Sequence, residues 1–235
     1  MINGKRVLGV IPARGGSKGL PRKNVIDLDG KPLIGWTIDS AKGCPYLDRV
    51  ILSSDDAEIM RIARDLGCDV PFVRPAELAR DDSPAIDVFI HALDTLTESY
   101  DYLVVLQATT PLRIAQDISA CLEICEKEKA PACVTVFEPR HHPYWTFKLD
   151  DNQRLEQLME GEIPYRRQLL PDCYALNGAV YVARTDWLRE TRSFLTAETR
   201  GHVMPADRST DIDTWRDLMW IQMLLREKKS EARAA

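Results

Sequence analysis

Short apolar runs alternate with helix-patterned stretches along this chain, and that rhythm restricts the fold more than any other feature. Val7–Ile11 and Tyr102–Leu106 are apolar almost without a break, the pattern of strands covered on both faces. Val50–Ser53, Cys133–Phe137 and Ala179–Val182 read as further strands. Between them, Ile59, Ile62, Ala63 and Leu66 fall on one helical face, as do Ile86, Phe89, Ile90 and Leu93. Pro32 opens a helix over 33–42, Asp55-Asp56 supplies acidic residues to the start of the next, and Ser83-Pro84 reads as an N-cap and first turn. Helices are also predicted over 116–126 and 215–228. Strand–helix alternation of this kind predicts an α/β fold with a doubly wound, mostly parallel sheet.

The rhythm fails between Glu138 and Pro171, a stretch rich in Pro, His, Tyr and Arg and too long for an ordinary connection. The expected organisation is therefore an α/β domain formed by 1–138 and 172–228, a small insertion over 139–171, and a frayed charged tail over 229–235. The 235 residues suffice for a substantial core. A net charge of −5 argues against general nucleic-acid binding. No apolar stretch approaches the roughly 18 residues of a membrane span, and strand one begins too early for a signal peptide, so a cytoplasmic protein is expected. The six cysteines show no C-x-x-C pair; Cys121 and Cys125 share a helix stripe with Ile118 and Leu122, and all six are expected as small core hydrophobes. His141-His142 lacks zinc-ligand spacing.

Strand one breaks at Pro12 into a loop with three glycines (Gly15, Gly16, Gly19) and four cations (Arg14, Lys18, Arg22, Lys23). Glycines let successive backbone N–H groups face one concavity, and cations supply the charge a triphosphate needs. Open α/β sheets bind ligands after their first strand. Neither the Walker A string nor a G-x-G-x-x-G fingerprint occurs. Gly15, Gly16 and Ser17 form the expected donor nest, Arg14, Lys18 and Lys23 the expected phosphate grip, and Asn24 a donor to ribose or phosphate oxygen.

From Ile11 to Asn24 the loop matches every fixed residue of I-P-A-R-x-x-S-K-G-L-P-x-K-N, the pattern of the acylneuraminate cytidylyltransferases, and the chain resembles that family over nearly its whole length. Arg74-Pro75 to Asp82-Ser83 is similar to the family's second segment, Leu106-Gln-Ala-Thr-Thr-Pro-Leu-Arg113 to its L-Q-P-T-S-P-L-R, and Arg166-Arg167-Gln168, Tyr174 and Asn177-Gly178-Ala179 to its sugar-facing segment. Asp211-Ile-Asp213 looks like its metal-binding D-x-D.

The resemblance implies a Rossmann-like nucleotidyltransferase using CTP, Mg²⁺ and a sialic-acid-like nonulosonic acid. It implies a homodimer in which the small insertion reaches across to the partner's sugar site. Nucleotide contacts are implied at Ala13, Arg14, Gly15, Gly16, Ser17, Lys18, Lys23, Asn24, Arg74, Asp82 and Ser83; acceptor contacts at Gln107, Arg166, Arg167, Gln168, Tyr174 and Asn177; metal ligation at Asp211 and Asp213; and catalytic charge at Arg14, Lys23 and Asp211. Two carboxylates two residues apart on extended backbone face the same way and suit Mg²⁺. Helix capping before Trp215 competes for them, since Thr214 and Asp217 form a T-x-x-D box. Where the family has Pro and Ser this chain has Ala108 and Thr110, which leaves the acceptor open among sialic, legionaminic, pseudaminic and related acids. An eight-carbon sugar acid and a lapsed binding protein remain as alternatives.

Overall fold

The computed structural model describes residues 1–17 and 19–234. The described residues form ten strands: β1 (Val7–Pro12), β2 (Asp27–Leu28), β3 (Lys31–Pro32), β4 (Arg49–Ser53), β5 (Tyr102–Leu106), β6 (Ala132–Phe137), β7 (Phe147–Leu149), β8 (Leu155–Gln157), β9 (Ala175–Arg184) and β10 (Arg200–Val203). The helices are α1 (Leu33–Lys42), α2 (Ala57–Asp65), α3 (Ala85–Thr95), α4 (Ala115–Glu128), α5 (Thr185–Thr191) and α6 (Trp215–Ala234).

Six strands make the central sheet in the order β10-β6-β9-β5-β1-β4, with β9 alone running against its neighbours. The uninterrupted apolar runs follow from burial on both faces. Val7, Ile11, Tyr102, Val104 and Leu106 meet α1, α2 and α4, whereas Leu8, Val10, Leu103 and Val105 meet α3 and α5. The chain passes from β1 outward to β4 and then to β5 on the other side of β1, which opens a crevice beyond the carboxyl ends of β1 and β5. A third cluster packs α6, through Leu218, Ile221 and Leu225, onto Leu20, Leu28, Leu33 and Ile212. Each such burial contributes about 2 kcal/mol, so α6 fastens the loop after β1 to the segment carrying Asp211 and Asp213.

Several expectations need correction. Ser83 does not cap α3: its hydroxyl donates to the Glu77 carbonyl, and Pro84 holds the cap position without a side-chain bond. The sheet re-enters at Ala175, not near Ala179, because Ala175 and Leu176 already pair with Phe137 and Val136. The insertion therefore ends at 174. The supposed frayed tail is helical to Ala234, in keeping with the helix propensity of its Lys, Glu, Ala and Arg, and Lys229 is ion-paired to Asp29 at 2.5 Å; Ala235 lies outside the described residues. Five cysteines are buried as expected, but Cys173 is half-exposed. No helix of the described residues is long and apolar enough to cross a membrane.

Candidate active site

The crevice beyond β1 and β5 is a cleft of about 520 Å³, lined by Arg14, Ser17, Lys23, Asn24, Arg74, Ser83, Gln107, Asp211 and Asp213 among others. Ala13 is anchored beneath it, its N–H donating to the Ser53 carbonyl at 3.0 Å. The three described cations of the loop are matched to carboxylates. Arg14 is paired with Asp81 at 2.7 Å and Lys23 with Asp213 at 2.8 Å. Arg22, at φ 57°, turns out of the cleft to Asp56 (2.6 Å) and Glu58 on α2. Lys18 lies outside the described residues.

The donor nest is partly committed to the protein itself. Gly15 N–H donates to Asp55 Oδ1 at 3.0 Å, while no atom lies within 4 Å of a Cβ built on Gly16. Gly19 passes directly against the Asp213 carbonyl, where any Cβ would collide with backbone. Asn24 is buried and donates to the Arg14 carbonyl at 2.9 Å, bracing the loop from below. Arg74 is also buried; its Nε donates to Ser53 Oγ at 3.1 Å and its Nη2 to the Ser53 carbonyl, and burial pushes its guanidinium down to about 10. Asp82 is exposed and does not line the cleft, because Arg80, Asp81 and Ser83 take that wall.

Capping at the start of α6 is supplied by Thr214 and Asp217. Thr214 N–H (2.7 Å) and Asp213 N–H (3.1 Å) both donate to Asp217 Oδ2, and Asp217 N–H returns a bond to Thr214 Oγ1 (3.4 Å). The start of α6 is thereby satisfied without the carboxylates of Asp211 or Asp213. Ile212 is fully buried between them, which turns both acids toward the cleft. Asp211 Oδ1 is buried with no hydrogen-bond partner, and burial, opposed by a bond from Thr109 and assisted by the charge of Asp213, raises the pKa of the carboxyl. An orphaned buried carboxylate oxygen beside a second acid fits a divalent cation that takes most of its shell from water and phosphate. Among the described residues no group of three or more metal-ligating side chains gathers anywhere, so such an ion would depend on the nucleotide for the remainder.

A second cavity of about 500 Å³ adjoins the cleft and is lined by Gln107, Phe137, Leu176, Asn177, Gly178, Tyr181, Ala206, Ser209, Thr210 and Asp211. Gln107 and Asp211 belong to both cavities. Asn177 lines this cavity, but its amide is bonded within the fold. Its Oδ1 accepts from Thr135 Oγ1 (2.6 Å) and Ala179 N–H (3.1 Å), and its Nδ2 donates to Ser209 Oγ (3.0 Å) and Met204 Sδ (3.2 Å). Arg166, Arg167, Gln168 and Tyr174 are exposed on the insertion and do not line this cavity; Arg167 is instead loosely paired with Glu138 at 3.5 Å. The insertion projects from β6 and β9 as a β7–β8 hairpin flanked by single turns, and Arg167 lines a neighbouring cavity that shares Phe137, Ala206 and Thr210 with this one. Tyr181, Phe137 and Thr109 line the cavities but were not expected. Tyr181 was recoverable in principle, as the polar-tipped residue of the otherwise apolar run from Ala179 to Ala183.

A doubly wound sheet with a cationic glycine loop at its switch point, faced by a paired-acid segment, defines an α/β nucleotidyltransferase. Comparison with known sequences narrows the class. The chain belongs to the cytidylyltransferase family, whose model matches residues 8–214. It is 33% identical over 229 residues to the pseudaminic acid cytidylyltransferase of Campylobacter jejuni, covering 96% of this chain and 98% of that one. It is 33% identical over 216 residues to the CMP-N,N'-diacetyllegionaminic acid synthase of Legionella pneumophila, covering 89% of this chain and 91% of that one. In fold it is similar to a CMP:2-keto-3-deoxy-manno-octonic acid synthetase solved with CTP, with a TM-score of 0.72 and 19% identity across 95% of this chain and 99% of the other.

Proposed function

We propose that this protein is a cytoplasmic, Mg²⁺-dependent homodimer that transfers CMP from CTP to a nonulosonic acid and releases pyrophosphate. One observation carries the reading: Gln107 and Asp211 line both cavities, so donor and acceptor spaces meet at one amide and one carboxylate. In the reaction the anomeric oxygen of the acceptor bonds to the α-phosphorus, the bond to pyrophosphate breaks, and the hydroxyl proton is lost. Negative charge builds on the phosphoryl oxygens and on the leaving group, so fixed cations and alignment are the main needs. Arg14 and Lys23 meet the first need once the triphosphate draws them from Asp81 and Asp213. Arg74 and Ser83 line the end of the cleft suited to the base, and the Gln107 amide orients the acceptor. Asp211 and Asp213 would hold the metal, which would supply positive charge to the triphosphate and make the acceptor hydroxyl easier to deprotonate.

The dimer is supported by the insertion's outer surface. Leu149, Leu155, Tyr165 and Leu169 are 60–80% exposed, an apolar face that a second copy would cover. Arg166, Arg167, Gln168 and Tyr174 would then be offered to the partner's acceptor cavity. A solution mass of one 26.7 kDa chain at assay concentration would remove this part of the proposal.

The deciding experiment is pyrophosphate release from CTP and Mg²⁺ with pseudaminic, legionaminic, N-acetylneuraminic and eight-carbon sugar acids. The expected result is turnover with a nine-carbon acid, none with ATP, GTP or UTP, and loss on chelation. Turnover with the eight-carbon acid alone would replace the acceptor class. Silence from folded, CTP-binding protein would overturn the enzymatic reading.

A further inference from the structure

Arg113 is 2% exposed, and among the described residues no carboxylate bonds its guanidinium. Its Nη1 donates to the carbonyls of Ala179 (2.8 Å) and Gln107 (3.1 Å) and to Thr110 Oγ1 (3.2 Å); its Nε donates to Ser40 Oγ (3.3 Å); its Nη2 has no partner. A buried cation whose hydrogen bonds all go to neutral acceptors, with the charge of Asp117 acting on it but no bond to that carboxylate, is costly unless it secures something. What it secures is the distance between the end of β5 and the bend in β9. The Gln107 carbonyl also accepts from Thr37 Oγ1 (3.2 Å) and Thr110 Oγ1 (3.3 Å), so three side chains from two elements converge on one peptide group. On β9, the residue before Ala179 is Gly178, at φ 71°, where a Cβ would lie 2.7 Å from Gln107 Oε1. The Gln107 amide is thus pressed against a bare backbone that Arg113 holds in place.

We infer that Arg113 is a positioning residue for the transfer reaction: by clamping the Gln107 and Ala179 carbonyls together it sets the Gln107 amide at the junction of the two cavities. The inference rests on the acceptor reading above. Lysine keeps the charge at this position but cannot bridge both carbonyls and Ser40 from a planar fork.

The test is a double-mutant cycle of Arg113→Lys and Gln107→Ala, read by pyrophosphate release with the best nine-carbon acceptor and by calorimetric CTP affinity. Arg113→Lys is expected to lower kcat/KM for the acceptor about tenfold in the native background and less than about twofold in the Gln107→Ala background, because the two act as one unit. CTP affinity should stay within about twofold throughout. Equal losses in both backgrounds, or CTP affinity falling in parallel, would overturn the inference. If Arg113→Lys does not fold, Thr37→Val removes one donor to the same carbonyl. Its smaller acceptor defect should also vanish without Gln107, and persistence there would be equally fatal. Wild-type silence with every acceptor would instead sink the functional reading and take the inference with it.

Discussion

Asn177→Ala separates two roles for one residue, since a sugar contact and a buried brace fail differently when truncated. The substitution removes the acceptor of Thr135 Oγ1 and of the Ala179 N–H, and the donor to Ser209 Oγ and Met204 Sδ. Thr135 retains bonds with Val180, and Ser209 retains the Pro205 carbonyl, so those losses are modest. The Ala179 N–H has no substitute and is fully buried; an orphaned donor of this kind costs about 1–3 kcal/mol, and the remaining bonds bring the total to about 3 kcal/mol. At about 2–4 °C per kcal/mol for a chain of this size, the melting temperature should fall by about 6–12 °C. Turnover should fall as well, by about tenfold, because Ser209 lies two residues before Asp211 and its loosening misplaces that carboxylate. The assay pairs thermal melts with initial rates over a range of acceptor concentrations. An unchanged melt with a raised acceptor KM would refute the brace and restore the direct sugar contact.

Other perturbations probe the cleft and its supports. Lys23→Ala should cut kcat about a hundredfold through lost charge stabilisation yet barely move the melting temperature, since its partner Asp213 is 69% exposed; near-normal turnover would remove it from the mechanism. Asp81→Asn should tighten CTP binding about threefold in calorimetry, by ending competition for Arg14, and weaker binding would contradict the idea of a carboxylate standing where phosphate goes. Asp117 ties α4 to Arg208 at 2.9 Å, just ahead of the acid segment. Burial alone would raise its pKa, but the nearby His202 (3.7 Å), the bond from the Ile114 N–H and the charge of Arg208 outweigh it and hold the carboxyl below its ordinary value of 3.8. A lowered carboxylate pKa contributes stability above the unfolded value and loses it as pH falls through the folded one. The stability deficit of Asp117→Asn should therefore be full at neutral pH and shrink below about pH 4; a deficit independent of pH down to the acid limit would exclude this linkage.

What could be read from the chain in advance was what is local. The two-faced burial of Val7–Ile11 and Tyr102–Leu106, the helical stripes and the cationic glycine loop depend on neighbours within a turn or a strand, so periodicity exposed them. Partnerships across the fold were hidden. Asn177 looks like a polar side chain for a sugar until Thr135 and Ser209, 42 and 32 residues away, are brought to it. Whether Asp211 and Asp213 cap a helix could not be decided from a T-x-x-D box that both readings share, and it took the burial of Ile212 to turn them outward. Arg166 and Arg167 were placed near a sugar by resemblance, and only the path of the insertion reveals that both are exposed and that Arg167 sits beside the second cavity and not in it. Ser83 failed as a cap because the Glu77 carbonyl, six residues back, is a nearer partner.

The position of β9 in the sheet has a consequence for how the molecule is made. It separates β5 from β6, although both of those are synthesised before it. Until residues 175–184 leave the ribosome, β5 and β6 each carry an open edge, and at about 5–20 residues per second that interval lasts several seconds. A nascent chain in that state could zip β5 to β6 directly, or to another copy, and would then have to be pried apart for β9 to enter. The union of Lys23 with Asp213, 190 residues apart, comes later still, so the catalytic cleft is among the last parts of the molecule to exist.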